Sequence, residues 1–590
     1  MCGIAGEVTW AGLRPRTLER ASDALRHRGP DDHGVWRDER CSFVHRRLAV
    51  LDPSPAGHQP MVSDDGRWVL TFNGEVFDFA RVRADLEALG WRFRTATDTE
   101  VLLAAYREWG VGCLARLNGM FAFAIWDSHE RTLVLARDRL GEKPLFHATV
   151  GGRFRFASEL TALLADGDLP RTPDLGVVDD YLTLGYVPAP RTAFAAIQAL
   201  EPAHWMRVDL RGDRPVVHTE RWWDVAYEPK VELDEGEAVA EVRATLTDAV
   251  RLRTVSDVPV GALLSGGVDS SAVVGLLAAQ GPGRLQTFSV GFEDPALDER
   301  VHARRVAERF GTEHHEAVVP APDADLVIDL VRHHGQPFAD SSSVPTWVVS
   351  RLARDHVTVV LTGDGGDEAF AGYPRHRANR LASRRPEPDS QSTAQRHLAW
   401  TATFDDRLKG ALYGADLRAV FDPRRLADTT AALTRGAVDA LDQGLAIDTR
   451  SYLPGDLLAK LDTASMAHGL EARAPFLDHR LVELAARLPG GMKLRGSRAK
   501  HVLLEATADL VPAENVARPK MGFTGPVAEW LRGPLRPLLR DALLSPGPTD
   551  GWFDQRGLVA LLDEHDARRV DHSGRLWALL VLELWHRSLC

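Results

Sequence analysis

Three groups of residues in this chain are equipped for chemistry. The stretch from Pro259 to Ser271 reads P-V-G-A-L-L-S-G-G-V-D-S-S. Gly266 and Gly267 let backbone N–H groups approach an anion closely, and a helix opening just after them adds a favourable dipole. That layout fits a phosphate, yet the chain holds no G-x-x-x-x-G-K-[ST], so this is not the P-loop. A second group, T-G-D-G-G-D-E-A-F-A-G-Y (Thr362 to Tyr373), crowds Asp364, Asp367 and Glu368 among glycines. Beside phosphates such acids need a cation, and Mg²⁺ shared between carboxylates and phosphate oxygens would take Asp269 and Asp367 as ligands. The third is Cys2. With Met1 removed, that residue carries a thiol and a free α-amine, and an amine of reference pKa about 7.7–8.0 suits the role of the thiol's base. Each group also has a plainer reading: a turn after a strand, acids at helix N-termini, a buried cysteine on an edge strand.

The elements that must position these groups follow from hydrophobic pattern. Val260 to Leu264 is a short apolar run suited to a buried strand, and Ala272 to Ala279 forms helix. Thr287 to Phe292 and Val357 to Leu361 predict further strands, with a helix carrying Val301, Val306 and Ala307 between them. Strands alternating with helices mean a mostly parallel sheet, whose ligands sit beyond the carboxyl ends of its strands. Both glycine-rich groups fall there. Ahead of them, Val239, Val242, Leu246, Ala249 and Val250 predict one apolar helical face. The N-terminal part differs, because Gly119 to Asp127 and Thr132 to Ala136 alternate as strands of a layered α+β sandwich. From Arg211 to Glu237 the chain is polar and contains Pro and Gly. The expected division is therefore 1–210, a linker 211–237, and 238–590.

Composition excludes several classes. The 590 residues are 44% hydrophobic and 26% charged, ordinary for soluble multidomain protein. A net charge of −12 without a basic cluster argues against nucleic-acid or acidic-membrane binding and favours small-molecule chemistry. Cys2, Cys41, Cys113 and Cys590 lack metal-ligand spacing. So few cysteines, no signal-peptide pattern at the start and no long apolar run point to the cytoplasm. The polar stretch from Ser383 to Arg396 is expected to be mobile.

Beyond these readings, R-H-R-G-P-D-D-H-G (Arg26 to Gly34), H-R-R-L-A-V-L-D (His45 to Asp52), F-N-G-E-V-F-D (Phe72 to Asp78) and T-D-T-E (Thr97 to Glu100) follow Cys2 in an order that resembles the class II glutamine amidotransferase domain. The resemblance implies an Ntn-hydrolase-like sandwich in which Cys2 attacks the glutamine amide. Asn73 and the Gly74 N–H would form the oxyanion hole. Arg47 would pair with the glutamine α-carboxylate, and Glu75 and Asp98 would hold its α-ammonium. Taken singly, Arg47 with Asp98 reads as a surface salt bridge and Asn73-Gly74 as a hairpin turn. The segments R-D-R-L-G-E-K-P-L-F (Arg137 to Phe146) and F-A-S-E-L (Phe156 to Leu160) match the same family, with turn residues at a seam between domains or simply solvated.

The C-terminal motifs resemble the ATP-pyrophosphatase type of domain. Together with S-M-A-H-G-L-E-A-R-A-P-F-L-D-H-R (Ser465 to Arg480), K-H-V-L-L (Lys500 to Leu504) and R-P-K-M-G-F-T-G-P (Arg518 to Pro526), the whole chain is similar to glutamine-hydrolysing asparagine synthetases. That resemblance implies that ATP contacts Leu264, Ser265, Gly266, Gly267, Asp269, Ser270, Val290, Gly363 and Asp364. It implies Mg²⁺ on Asp269 and Asp367, charge stabilisation by Lys500, and Asp364 as the acid assisting deprotonation of the attacking ammonia. A homodimer is compatible with it. The implied reaction is adenylation of a carboxylate, then displacement of AMP by ammonia carried from the glutaminase through an internal tunnel. Aspartate is the default acceptor, with another carboxylate of specialised metabolism or a peptide as the alternative and a non-catalytic binding relict behind both. A departure bears on the acceptor: Gly335-Gln336 stands before Pro337-Phe338-Ala339-Asp340 where relatives commonly carry two acids.

Overall fold

The computed structural model describes the chain except residues 11, 282–283, 383–390 and 590. The N-terminal strands are β1 (Cys2–Thr9), β2 (Asp32–Arg37), β3 (Cys41–Arg47), β4 (Met61–Val62), β5 (Trp68–Val76), β6 (Gly119–Asp127), β7 (Thr132–Arg137), β8 (Phe146–Val150), β9 (Arg153–Ala157), β10 (Gln198–Ala199), β11 (His204–Asp209) and β12 (Val216–Arg221). They form two six-stranded antiparallel sheets, ordered β10-β8-β9-β1-β3-β2 and β12-β11-β7-β6-β5-β4. Alternation in the strands sends Ile4, Val8, Phe43 and Phe156 from one sheet against Val69, Ala122, Trp126 and Leu133 from the other. Helices Phe79–Ala88 and Asp98–Trp109 cover the far face of the second sheet through Val82, Leu86, Val101 and Leu102. Helices Glu19–Ala24 and Leu160–Leu164 cover that of the first. The layering is helix, sheet, sheet, helix, as expected of the sandwich.

Part of the stretch expected as linker is regular structure. Its residues Val216–Arg221 are the edge strand β12, exposed along its whole length and paired with β11. Beyond it Trp222 stacks on Phe121 at 6.2 Å between ring centroids, and the Trp223 indole N–H donates to Glu483 at 2.7 Å. Val225 and Tyr227 are buried. This segment straps the sandwich to the second unit.

That unit is built on five parallel strands, β13 (Val260–Leu263), β14 (Gln286–Gly291), β15 (Glu313–Val318), β16 (Val359–Leu361) and β17 (Glu471–Arg473), ordered β15-β14-β13-β16-β17. Helix Glu235–Arg253 opens with a capping box between Asp234 and Glu237. It buries Ala238, Val242, Leu246, Ala249 and Val250 on one face of the sheet, while Val239 stays only partly covered. Helices Val268–Ala278 and Arg300–Phe310 share that face. In the latter Ala303, Val306 and Ala307 turn inward, whereas Val301 is 53% exposed. Helices Ser343–Arg354 and Ser573–Arg587 cover the opposite face. Within the polar stretch expected to be mobile, 383–390 lie outside the described residues, but Ser392 and Gln395 close a capping box on helix Thr393–Thr401. Cys590 also lies outside them. Cys2, Cys41 and Cys113 are buried free thiols. Among the described residues no helix is long and apolar enough to cross a membrane.

Candidate active sites

Cys2 opens β1 at the centre of its sheet, and its register partner on β3 is Arg47. Asn73, Gly74 and Glu75 lie within β5, whose partner strand is β6, so they are a strand segment and not a hairpin turn. The Cys2 N–H donates to Asn73 Oδ1 at 2.8 Å. Asn73 is fully buried, and its Nδ2 has no hydrogen-bond partner. A buried amide donor left open beside a thiol is prepared for an oxygen it does not yet hold. A Cβ on Gly74 would lie 2.1 Å from the Met120 carbonyl oxygen, so only glycine lets β5 pass β6 at that point. Burial pushes the Cys2 thiol up, against the pull of the terminal ammonium and Arg47.

Arg47 is buried, and its guanidinium donates to the carbonyls of Ser54 (3.1 Å), Leu51 (3.0 Å) and Asp52 (2.6 Å). Three of the five N–H donors are thus spent on the loop after β3, leaving the remainder for an incoming carboxylate. Glu75 and Asp98 face a common buried space with Glu471 and Arg473 of β17. Asp98 accepts from the Val76 N–H at 2.9 Å, and burial raises it to about 6. Burial and the neighbouring Glu471 hold Glu75 well above the carboxylate range, with Arg473 3.6 Å away. The Met1 ammonium pairs with Glu471; burial alone would raise that acid, but the ammonium and Arg473 bring it to about 2. An ammonium therefore already sits among these acids.

The sandwich and the parallel-sheet unit meet at this pocket. Arg28 of the R-H-R-G-P segment is fully buried. It donates to the Cys2 carbonyl at 3.0 Å, to Glu159 at 3.0 Å and to both oxygens of Asp462 at 2.8 and 3.1 Å. Lys143, from the turn R-D-R-L-G-E-K-P, reaches Asp462 at 3.3 Å, and Asn118 donates to Asp478 at 2.8 Å. An apolar group of Met1, Leu48, Val50, Phe77 and Met120 continues across the seam to Val359 and Met466.

The second site lies at the carboxyl ends of β13 and β16. Gly266 has φ +71, and a Cβ there would lie 2.4 Å from the His302 backbone. Asn515 holds the Gly266 carbonyl at 2.9 Å, and Ser265 Oγ accepts from the Gly267 N–H at 3.3 Å. Ser270 Oγ lies 3.1 Å from Ser265 Oγ. Leu264 and Val290 are buried beneath the loop. Gly363 backs onto it, since its Cβ would meet the Ser270 nitrogen at 2.9 Å. Lys500, a non-glycine residue at φ +53, reaches Asp269 at 2.5 Å and Asp367 at 2.6 Å. Backbone held in that region needs support from its surroundings and recurs at functional sites. Burial raises Asp269 despite Lys500. Asp367 is held low in spite of burial, because Lys500 and Lys520 both pair with it. Asp269 Oδ1 has no partner, whereas both oxygens of Asp367 face ammonium groups, Oδ1 that of Lys500 and Oδ2 that of Lys520. One hard oxygen left open beside a second carboxylate that now holds cations, over an anion-binding loop, fits Mg²⁺ of the kind completed by substrate phosphates. Among the described residues no cluster of three or more metal-ligating side chains stands ready by itself.

Some participants carry no sequence prediction. Lys520 on Asp367 and Arg518, which lies 3.4 Å from a Cβ on Gly267 and pairs with Glu299 at 2.5 Å, come from the R-P-K segment. The signal was there, two cations in a glycine-containing loop, but nothing local says which acid they meet. The Gly335-Gln336 departure is resolved differently. Gly335 ends helix Ala324–His334 at φ +67, and its carbonyl accepts from the Trp585 indole at 3.1 Å. Gln336 Oε1 accepts from the Ala193 N–H at 3.2 Å. Both residues serve the seam with the sandwich, and neither lines the cavity beside the second site; Asp340 does.

The glutamine amidotransferase domain family matches residues 1–223, and the asparagine synthase family matches residues 241–587. Asparagine synthetase [glutamine-hydrolyzing] 1 of Bacillus subtilis (strain 168) is 31% identical, over 99% of this chain and 96% of its own. Asparagine synthetase [glutamine-hydrolyzing] 3 of the same organism is 34% identical over 90% and 89%. Amidase chyE of Penicillium rubens is 30% identical over 88% and 86%. With both family domains matched in order along nearly the whole chain, the protein belongs to the glutamine-hydrolysing asparagine synthetase family.

Proposed function

We propose that the protein is a glutamine-dependent amide synthetase with two cooperating sites. At the first, Cys2 attacks the glutamine side-chain amide, Asn73 and the Gly74 N–H receive the oxyanion, and Arg47, Glu75 and Asp98 hold the amino-acid end. Collapse of that intermediate breaks the C–N bond and releases ammonia inward, leaving a glutamyl thioester on Cys2 that water then hydrolyses to glutamate and the free thiol. At the second, the acceptor carboxylate attacks the α-phosphate of ATP. Pyrophosphate departs, and ammonia displaces AMP from the acyl carbon to leave an amide. Asp269 and Asp367 would hold Mg²⁺, which when bound would supply positive charge to offset that of the phosphates. Lys500 stabilises charge building on the phosphates, the Ser265–Ser270 turn cradles them, and Asp364 takes a proton from the attacking ammonia.

The observation that carries this reading is the Lys500 clasp between Asp269 and Asp367 over a glycine loop. A cation fixed between two acids at the carboxyl ends of adjacent strands is placed for a polyphosphate that brings its own metal. The apolar group from Leu48 to Met466 supports a dry path for neutral ammonia between the sites. Relatives named asparagine synthetases favour aspartate as acceptor, and relatives named amidases favour a different acid. The test of the two-site reading is Cys2→Ala. It should abolish glutamine hydrolysis while AMP release driven by ammonium salt continues, and loss of both in a folded variant would refute it.

A further inference from the structure

Resting on that reading, the cavity beside the second site speaks to the class of acceptor. It has a volume of about 280 Å³ and is bounded by Tyr186, Trp400 and Tyr452 on its apolar side and by Asp340, His397 and Asp456 on its polar side. For scale, an apolar cavity of about 150 Å³ admits benzene. Ser451, Tyr452 and Asp456 come from the π-helical segment Asp448–Leu457, which contains Pro454; such widened turns gather at functional sites. The cavity adjoins the nucleotide motifs. Tyr452 meets Tyr373 edge to face at 6.0 Å, and the Tyr373 hydroxyl bonds to Glu368 of the acidic glycine motif. Lys460, which pairs with Asp340 at 2.8 Å, also feels the charge of Asp364.

The charges in the wall do not balance. Arg375 is committed: it pairs with Asp448 at 3.0 Å and lies over the rings of Tyr373 and Tyr452 at 3.9 and 4.8 Å. His376 and His397 complete the shell of Asp448 at 2.6 and 3.1 Å. On the other side two carboxylates, Asp340 and Asp456, share one ammonium, Lys460. Asp340 also takes the Ser342 hydroxyl at 2.7 Å, but Asp456 is 7% exposed with its Oδ1 unpartnered. Burial and the neighbouring Asp340 push Asp456 well above the usual carboxylate range. His397 is 3% exposed, and its Nδ1 is likewise unpartnered. Two buried polar atoms in one cavity wall, Asp456 Oδ1 and His397 Nδ1, are short of a ligand, and an incoming ammonium is the partner that would hold Asp456 in its ionised form.

We propose that this cavity seats the acceptor acid, that Asp456 receives an amine of that acid, and that Tyr186, Trp400 and Tyr452 enclose an aromatic or branched apolar body. Free aspartate is a poor fit. Its second carboxylate would enter a wall whose cations, Arg375 and Lys460, are already paired, facing Asp340 and Asp456.

The probe is phenethylamine, an amine with an aryl body, titrated calorimetrically into the full-length protein beside L-aspartate and 3-phenylpropionate. Saturable binding of phenethylamine is expected, at least about tenfold tighter than either acid, the scale of one charge-assisted hydrogen bond. Asp456→Asn should weaken it about tenfold or more. Trp400→Ala, at a side chain 59% exposed and so free of folding risk, should weaken it severalfold. Absence of phenethylamine binding, or binding that neither substitution changes, overturns the inference. So does AMP release that is faster with aspartate than with L-phenylalanine at equal concentration, while leaving the amide-synthetase reading intact. Phenethylamine binding without AMP release from any acid tried would uphold the cavity assignment and count against that reading instead.

Discussion

Gly372 offers a test of the second site that does not touch its chemistry. The residue carries no side chain, yet a Cβ there would lie 1.7 Å from Asp367 Oδ1 and 2.3 Å from Lys500 Cε. In Gly372→Ala the Asp367 carboxylate and the Lys500 ammonium must both retreat, by on the order of 1 Å, a misplacement that can cost about 10²-fold in rate. The atoms displaced are the far ends of flexible side chains, so global stability should fall by no more than about 1 kcal/mol. The assay is pyrophosphate release with ATP, Mg²⁺, acceptor and ammonium salt, run beside glutamine hydrolysis and thermal unfolding. Ammonium-driven turnover should drop about 10²-fold while glutamine hydrolysis, performed in the sandwich, persists. Gly574→Ala is the control: it lies in helix Ser573–Arg587 with nothing within 4 Å of its Cβ, and should change neither activity. Wild-type turnover in Gly372→Ala would refute the claim that the Asp367–Lys500 pair works at the reacting phosphates.

Asp269→Asn and Asp367→Asn should each abolish pyrophosphate formation with either nitrogen source, and Lys500→Ala should lower it by about 10²–10³-fold; unchanged turnover in either aspartate variant would show the metal to be held elsewhere. Because burial places Asp98 near 6, the acid is neutral below that pH and cannot pair with an ammonium. The kcat/KM for glutamine should therefore fall as pH drops through about 6, by up to about tenfold per unit, a limb that Asp98→Asn should remove. Retention of Met1, checked by mass spectrometry, should silence the glutaminase, since the Cys2 nitrogen is then an amide donating to Asn73; activity of the unprocessed chain would eliminate the terminal-amine base.

Motifs dictated by local backbone demands were legible. Gly266, Gly267 and Gly363 stand where a loop must bend or touch another loop, and any strand–glycine–helix stretch announces that need. The alternating β6 and the apolar β13 likewise declare their period. The strand β12 was hidden because it is exposed on both faces and has no alternation to read, so its polar residues looked like linker. Val301 lies five residues before Val306, about 140° round the helix, and so faces away from the sheet. Side-chain direction after a helix end is equally silent: Gln336 points to the sandwich backbone, whereas Asp340, four residues on, turns to Lys460. The acceptor cavity draws its walls from stretches near residues 186, 340, 400 and 452, and no spacing in a single stretch could have assembled them.

The buried ion pairs across the seam bear on modularity. Arg28, Asn118, Lys143, Glu75 and, until Met1 is removed, its ammonium find their countercharges or acceptors on Asp462, Glu471, Arg473 and Asp478 of the other unit. Cutting the chain between 223 and 238 would leave those groups facing water on one fragment and bare on the other, where one orphaned member of a buried pair costs about 3–5 kcal/mol. The glutaminase half is thus no interchangeable cassette. A chimera that borrows it from a relative must bring along the four seam residues of the synthetase half as a set, because they belong to the inventory of the foreign active site.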